Sequence, residues 1–281
     1  MQPLAGLHEI ADHFDGFILD LWGVIHDGIA PFAGALRCLQ ALKPRPVLLL
    51  SNAPRRAASV QHTLRRLGVA DDLYCVLLTS GEATWCALKD APDPWFQSLG
   101  PRVFHIGPAR DLGVLDGLSR SLASSPAEAD WVLNTGPDDT RELSDLEAFL
   151  PDLAACLAAR LPMVCANPDL EIVRGNARIL CAGTLAAWYE RQGAEVRWIG
   201  KPDPAIYVDA LARLGLAPRQ VLAVGDSLRT DIAGAVGAGL ASLWILGGIH
   251  GAALRGDITA AQREAAKAGL SPDWVSARLD W

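Results

Sequence analysis

Nine short apolar runs punctuate the chain: 16–20 (GFILD), 47–50 (VLLL), 75–78 (CVLL), 102–106 (RVFHI), 131–134 (WVLN), 162–165 (PMVC), 196–199 (VRWI), 221–225 (VLAVG) and 242–246 (SLWIL). They are nearly continuous in apolar residues rather than alternating, which predicts strands buried on both faces. Helical periods lie between them. In DLEAFLPDLAACLAARL, residues Leu146, Phe149, Leu150, Leu153 and Leu157 fall on one helical face. In DPAIYVDALARLGL, Asp203 reads as an N-cap, Pro204 as the first helical residue and Gly215 as the stop. Strands alternating with helices predict an α/β fold with a Rossmann-like parallel sheet.

The 281 residues suggest about two domains at roughly 150 residues each. An apolar fraction of 51% is enough for a sizeable core in both. The net charge of −7 argues against a dedicated nucleic-acid binder, and the basic pairs Arg55-Arg56 and Arg65-Arg66 read as solvated helix faces. Six cysteines without a C-x-x-C pair suit free thiols in a reducing cytosol. The first residues, MQPLAGLHEIADHF, have neither the basic start nor the apolar core of a signal peptide, so a cytoplasmic protein is expected. Residues 232–254 carry no charge, as a membrane span would. Their six glycines break the run into a helix, a strand and a turn, and no membrane association is expected.

The chemistry-bearing residues concentrate in 16–52 and 200–231, each where an apolar strand gives way to a loop. In open α/β sheets ligands bind at those carboxyl ends. Asp20 ends a strand, where a lone carboxylate is costly unless it is paired. Ser51-Asn52 offers a hydroxyl and turn amides suited to a phosphoryl oxygen. Lys201 is a cation in a tight turn before a helix. Asp226 and Asp231 bracket a short loop, a hard-oxygen arrangement that suits Mg²⁺. Singly, these are ordinary helix caps, turn residues and surface charges; their order and context are more specific. The segment 82–180 has strands and helices of its own but few such residues. It reads as a second α/β domain inserted between the core segments 1–81 and 181–281.

The ordered set Asp20, Ser51-Asn52, Gly200-Lys201-Pro202 and Gly225-Asp226-Ser227 with Asp231 resembles the haloacid dehalogenase superfamily. SGEAT (80–84), CANPDLEI (165–172) and IGKPDPAIY (199–207) look like its class IIA, NagD-like branch. The resemblance implies a core with an inserted α/β cap and phosphoryl transfer through an aspartyl-phosphate with Mg²⁺. Asp20 would then be the nucleophile, Ser51 and the Asn52 amide would hold the phosphoryl group, and Lys201 would neutralise it. Metal ligands would be Asp20, the backbone carbonyl of Trp22, Asp226 and Asp231. The implied substrate is a small phosphorylated metabolite, and because caps of this branch often dimerise, a homodimer is an expectation.

One position departs from that pattern. The family's phosphatases keep an aspartate two residues after the nucleophile, as acid and then base; here it is Trp22, whose indole is a donor only. Binding and the nucleophile should survive, with acid–base help lost or supplied elsewhere. His26 is one candidate, since an unperturbed histidine titrates near neutrality. The substrate's identity is not legible: Asn167, Asp169 and Arg174 in the insert could face the site as substrate contacts, but so could many other loop residues. A metal-independent haloacid dehalogenase, whose relatives carry an aromatic residue at that position, and a catalytically impaired phosphate-binding protein are the alternatives.

Overall fold

The apolar runs become strands with their ends displaced by no more than one residue. A computed structural model describes residues 1–174, 177–254 and 256–281. In chain order the strands are β1 (Gln2–Pro3), β2 (Gly16–Leu19), β3 (Val47–Ser51), β4 (Val76–Thr79), β5 (Arg102–Ile106), β6 (Ser121–Leu122) and β7 (Trp131–Asn134). They continue as β8 (Met163–Cys165), β9 (Glu171–Arg174), β10 (Ala177–Leu180), β11 (Val196–Trp198), β12 (Val221–Gly225), β13 (Ala241–Ile245) and β14 (Trp274–Ser276). Seven form a parallel sheet in the order β1-β14-β13-β12-β2-β3-β4. Five form a second parallel sheet, β11-β8-β7-β5-β6. Strands β9 and β10 make a separate antiparallel pair.

Side-chain alternation explains why the runs are apolar throughout. Phe17, Leu19, Val47, Leu49, Leu222 and Val224 pack on one face of the large sheet. Their neighbours Ile18, Leu48, Leu50, Val221 and Ala223 pack on the other, against Ile206, Tyr207 and Ala210 of the helix Pro204–Leu214. That helix has the expected ends: Asp203 accepts from the Ala205 N–H, and Gly215 closes it in a left-handed conformation. The uncharged run folds as the short helix Ala233–Gly237 followed by β13. Among the described residues no helix is long and apolar enough to cross a membrane.

Two expectations need correcting. Strand β11, read with the core segment 181–281, pairs with β8 in the second sheet. The helix before it, Ala182–Arg191, packs Leu185, Ala186 and Tyr189 against that sheet, so the second unit runs on past residue 180 to the end of β11. The Arg55-Arg56 pair is not a solvated helix face either. It lies in the loop before the helix Ala57–Arg66, with Arg56 paired to Glu82 and Arg55 facing Asp111 of the insert.

The connections place the site. From β2 the chain runs outward through β3 to β4, whereas from β12 it runs the other way through β13 to β14. The topological switch point therefore lies between β2 and β12, where their carboxyl ends leave a crevice. Asp20, Ser51 and Asp226 stand at the ends of the three adjacent strands β2, β3 and β12.

Candidate active site

Strand order brings three carboxylates together at the crevice. Asp20, Asp226 and Asp231 are all buried, and each can place one oxygen within 4.8 Å of the others. Asp20 is held by its N–H, which donates to the Val224 carbonyl at 2.9 Å. Asp231 sits in the turn Leu228–Ile232 and accepts from the Ser227 N–H through Oδ2 at 3.0 Å. Asp226 Oδ2 accepts from the Ile249 N–H at 2.6 Å, and its carbonyl accepts from Trp244 Nε1 at 2.9 Å. Gly23 (φ +82°) lies so close that a Cβ there would come within 2.2 Å of Asp226 Oδ2, which explains a glycine in the loop after β2.

Lys201 supplies the balancing charge. It is 3% exposed, and its Nζ donates to Asp20 Oδ1 at 2.6 Å, Asp231 Oδ1 at 2.7 Å and the Leu50 carbonyl at 3.1 Å. Burial alone would lower the ammonium pKa, but the Asp20 and Asp231 charges overcome it and hold it well above the ordinary value. Burial pushes Asp20 up to about 7, against the pull of Lys201 and with repulsion from Asp231 adding to it. Asp226 is raised well above the usual carboxylate range, first by burial and then by the Asp20 and Asp231 charges.

One ammonium against three carboxylates leaves excess negative charge out of water, which is unfavourable without a further cation. Ligand oxygens ~2.1 Å from a single Mg²⁺ lie at most about 4 Å apart, so small side-chain movements would bring these three onto one ion. The donor set is all hard oxygen. The residues present therefore fit a divalent cation.

Beside the carboxylates lies a set of donors. Ser51 Oγ accepts from the Ala53 N–H at 3.2 Å, leaving its hydroxyl proton free to donate outward. Among the described residues, the backbone N–H groups of Leu21, Trp22 and Asn52 meet no acceptor. Such strand-end donors make an anion-binding concavity.

The Asn52 side chain has a different task. Its Oδ1 accepts from the Lys201 N–H at 2.8 Å and from Ser80 Oγ at 3.0 Å. Its Nδ2 donates to the Lys201 carbonyl at 3.1 Å and to Asp169 Oδ1 at 2.8 Å. All of its hydrogen-bonding capacity is thus used to fix the lysine turn and an insert residue. Gly200 (φ +129°) makes this approach possible, since a Cβ would lie 2.1 Å from Ser80 Oγ.

The insert reaches the crevice through residues 167–173. Asn167 Oδ1 accepts from the Asp169 N–H, the Pro168 carbonyl accepts from Arg229, and the Val173 carbonyl accepts from Trp22 Nε1 at 3.0 Å. The Trp22 indole is half-buried and packs edge-on against His26, with ring centroids 5.4 Å apart. Arg174 is exposed.

His26, the candidate acid or base, has one ring nitrogen already committed. Its ring is buried, Nδ1 accepts from the Gly28 N–H at 3.0 Å, and burial lowers its pKa to about 4. A neutral imidazole with that lone pair in use orders its own loop. Asp27 likewise forms a turn, accepting from the Ile29 and Ala30 N–H groups.

Sequence reasoning missed Tyr207, whose hydroxyl donates to the Asp231 carbonyl at 3.1 Å, and Asp111. Asp111 is buried, with Oδ1 without a hydrogen-bond partner and 3.9 Å from Arg55 Nε. Neither carries a local signature, because each acquires its role from a partner distant in the chain.

A parallel α/β sheet with buried carboxylates and a lysine at its switch point, covered by an inserted sheet, defines a small-molecule enzyme fold rather than a binding repeat or a structural module. Comparison with known proteins gives the family. Residues 17–118 match the model described as haloacid dehalogenase-like hydrolase, and 198–279 the model described as HAD-hydrolase-like. A solved haloacid dehalogenase-like hydrolase from Brucella suis 1330 is 32% identical, with a TM-score of 0.83 over 98% of both chains. The D-glycerol 3-phosphate phosphatase of Mycobacterium tuberculosis is 29% identical over 252 residues, 88% of this chain and 67% of that enzyme. The ribonucleotide monophosphatase NagD of Escherichia coli K12 is 27% identical over 238 residues, 83% of this chain and 87% of NagD. The chain belongs to the haloacid dehalogenase-like hydrolases, in their NagD-like, class IIA branch.

Proposed function

We propose that the protein is a Mg²⁺-dependent phosphatase that hydrolyses a small phosphate ester through an aspartyl-phosphate on Asp20. The observation carrying this reading is the Lys201 ammonium bridging Asp20 and Asp231 inside a cluster of three buried carboxylates. The phosphatase activities named for the two curated relatives point the same way.

In this reading Asp20 attacks phosphorus, and the ester oxygen departs on the opposite side. Lys201 offsets the charge on the phosphoryl oxygens, while the Ser51 hydroxyl and the free N–H groups of Leu21, Trp22 and Asn52 orient them. Asp20, Asp226, Asp231 and the Trp22 carbonyl would hold the metal, which when bound supplies positive charge at the transferring group. Water then releases phosphate from Asp20. Residues 92–198 form the cap, and the organic part of the ester lies between core and cap.

The test is a screen of phosphate esters with and without Mg²⁺, combined with Mg²⁺ titration of Asp226→Ala. Turnover that requires Mg²⁺, and loss of the Mg²⁺ site in the variant, are expected. Unchanged Mg²⁺ affinity in Asp226→Ala defeats the ligand assignment, and Mg²⁺ binding without turnover of any ester defeats the enzyme assignment. Metal-independent turnover of haloacids would favour a dehalogenase instead.

A further inference from the structure

The reaction proposed above needs a proton for the leaving oxygen and a base for the attacking water. Trp22 offers neither, and His26 has Nδ1 in use while burial lowers its pKa to about 4. The insert brings a carboxylate to the same crevice. Asp169 Oδ1 accepts from Asn52 Nδ2 at 2.8 Å, and that same Asn52 side chain holds the backbone of Lys201. Asp169 Oδ2 accepts no hydrogen bond among the described residues, and the residue as a whole is partly buried. One oxygen is thus anchored across the seam between core and insert, while the other is left without a protein donor among the described residues.

We propose that Asp169 is the proton donor and acceptor that position 22 lacks. The inference rests on the phosphatase reading. In the first step an Asp20 oxygen forms a bond to phosphorus, the ester P–O bond breaks, and its electron pair takes the Asp169 proton to give an alcohol. In the second, water attacks phosphorus, Asp169 takes its proton, and the P–O bond to Asp20 breaks. The carboxyl of Asp169 and the carboxylate of Asp20 are restored.

The surroundings of Asp169 pull its carboxyl in both directions, with burial the largest influence. Burial raises the Asp169 pKa, as does the Asp231 charge, while Lys201, Arg229 and the Asn52 hydrogen bond pull it down. The Asp169 charge is in turn felt at Asp20 and Lys201, so the group lies within electrostatic reach of the reacting centre.

Asp169→Asn separates chemistry from structure, because the new amide oxygen still accepts from Asn52 while the exchangeable proton is gone. Two probes are used with Mg²⁺: 4-nitrophenyl phosphate, whose phenolate leaves unaided, and glycerol phosphate, whose alkoxide needs a proton. General acid catalysis contributes ~10²–10⁴-fold, so the glycerol phosphate phosphorylation rate should fall by about 10² or more. The corresponding rate for the aryl ester, read from its release of nitrophenolate in a single turnover, should change much less. Asp169→Glu should recover part of the alkyl-ester rate.

Equal losses on the two esters, or none, overturn the assignment of Asp169 and leave the phosphatase reading standing. A Mg²⁺-binding wild type inert toward both esters removes the phosphatase reading, and this one with it. If Asp169→Asn does not fold, the wild-type pH profiles decide. Alkyl-ester turnover should decline as rising pH removes the Asp169 proton, while aryl phosphorylation stays level over the same range; coincident profiles overturn the proposal.

Discussion

Asp111 is a carboxylate kept from water, with Arg55 near but outside hydrogen-bond distance. Burial raises its pKa from 3.8 to about 6, with Arg55 and Arg110 opposing. The folded protein thus holds this proton more tightly than the unfolded chain. Stability is lost as pH rises from about 4 to about 6, and the penalty persists above that. Asp111→Asn should remove the penalty, gaining up to about 3 kcal/mol at pH 8, less whatever the Arg55 attraction contributes. Thermal melts between pH 4.5 and 8 check this: the variant's advantage should grow with pH, and a constant difference would refute it. Asp111 was invisible in the sequence because its environment is made by a core loop and an insert loop far apart in the chain. Asp20, Ser51, Lys201, Asp226 and Asp231 were legible as candidates because strand-end position and order are written locally. His26 shows the limit of that method. Its residue type suggested proton transfer, but burial and the Gly28 N–H give it a loop-ordering place.

Among the elements, the central strands were legible and the margins were not. Each central strand is an apolar run because two packed faces demand it, whereas β1 and β6 have two residues each and β14 three. Strands β9 and β10 were hidden for another reason. Their pairing sets Ile172 opposite Ile179 and Glu171 opposite Leu180, on a partly exposed arm with no buried face to impose a pattern. That arm touches the loop after β2 through Trp22 Nε1 and the Val173 carbonyl. Trp22→Phe keeps an aromatic ring beside His26 and removes the donor, so about 1 kcal/mol of local stability should go with it. Hydrogen exchange of residues 171–174 should quicken by roughly fivefold, while β2 and β12 keep their protection. Unchanged exchange in the arm would mean that the indole N–H does not hold it.

At the scale of the molecule, the fold divides where packing divides. The three clusters packed around the seven-stranded sheet contain no residue from 92–198. The two clusters around the five-stranded sheet draw heavily on that segment, including Leu185, Ala186 and Tyr189 from beyond residue 180. Replacing 82–180 by a flexible linker would therefore cut the second unit through its core. It would leave the helix Ala182–Arg191 and β11 without the strand and helices they cover, and the Tyr189 hydroxyl without the Leu161 carbonyl to which it donates at 2.8 Å. That protein should aggregate. Replacing 92–198 instead removes the unit whole and keeps the helix Ser80–Asp90, which links the two: Ala83 packs on the core and Leu88 on the insert. This second protein should be monodisperse and retain the Asp20, Asp226, Asp231 and Lys201 cluster, with Mg²⁺ affinity within about tenfold of the full chain. It should still release nitrophenolate from 4-nitrophenyl phosphate but lose glycerol phosphate turnover, because Asp169 has gone with the insert. Light scattering and Mg²⁺ titration of the two excisions decide the boundary: equal behaviour would refute a division at the end of β11. The ester comparison asks a separate question, and a core that hydrolysed both esters would show that the proton comes from the core itself.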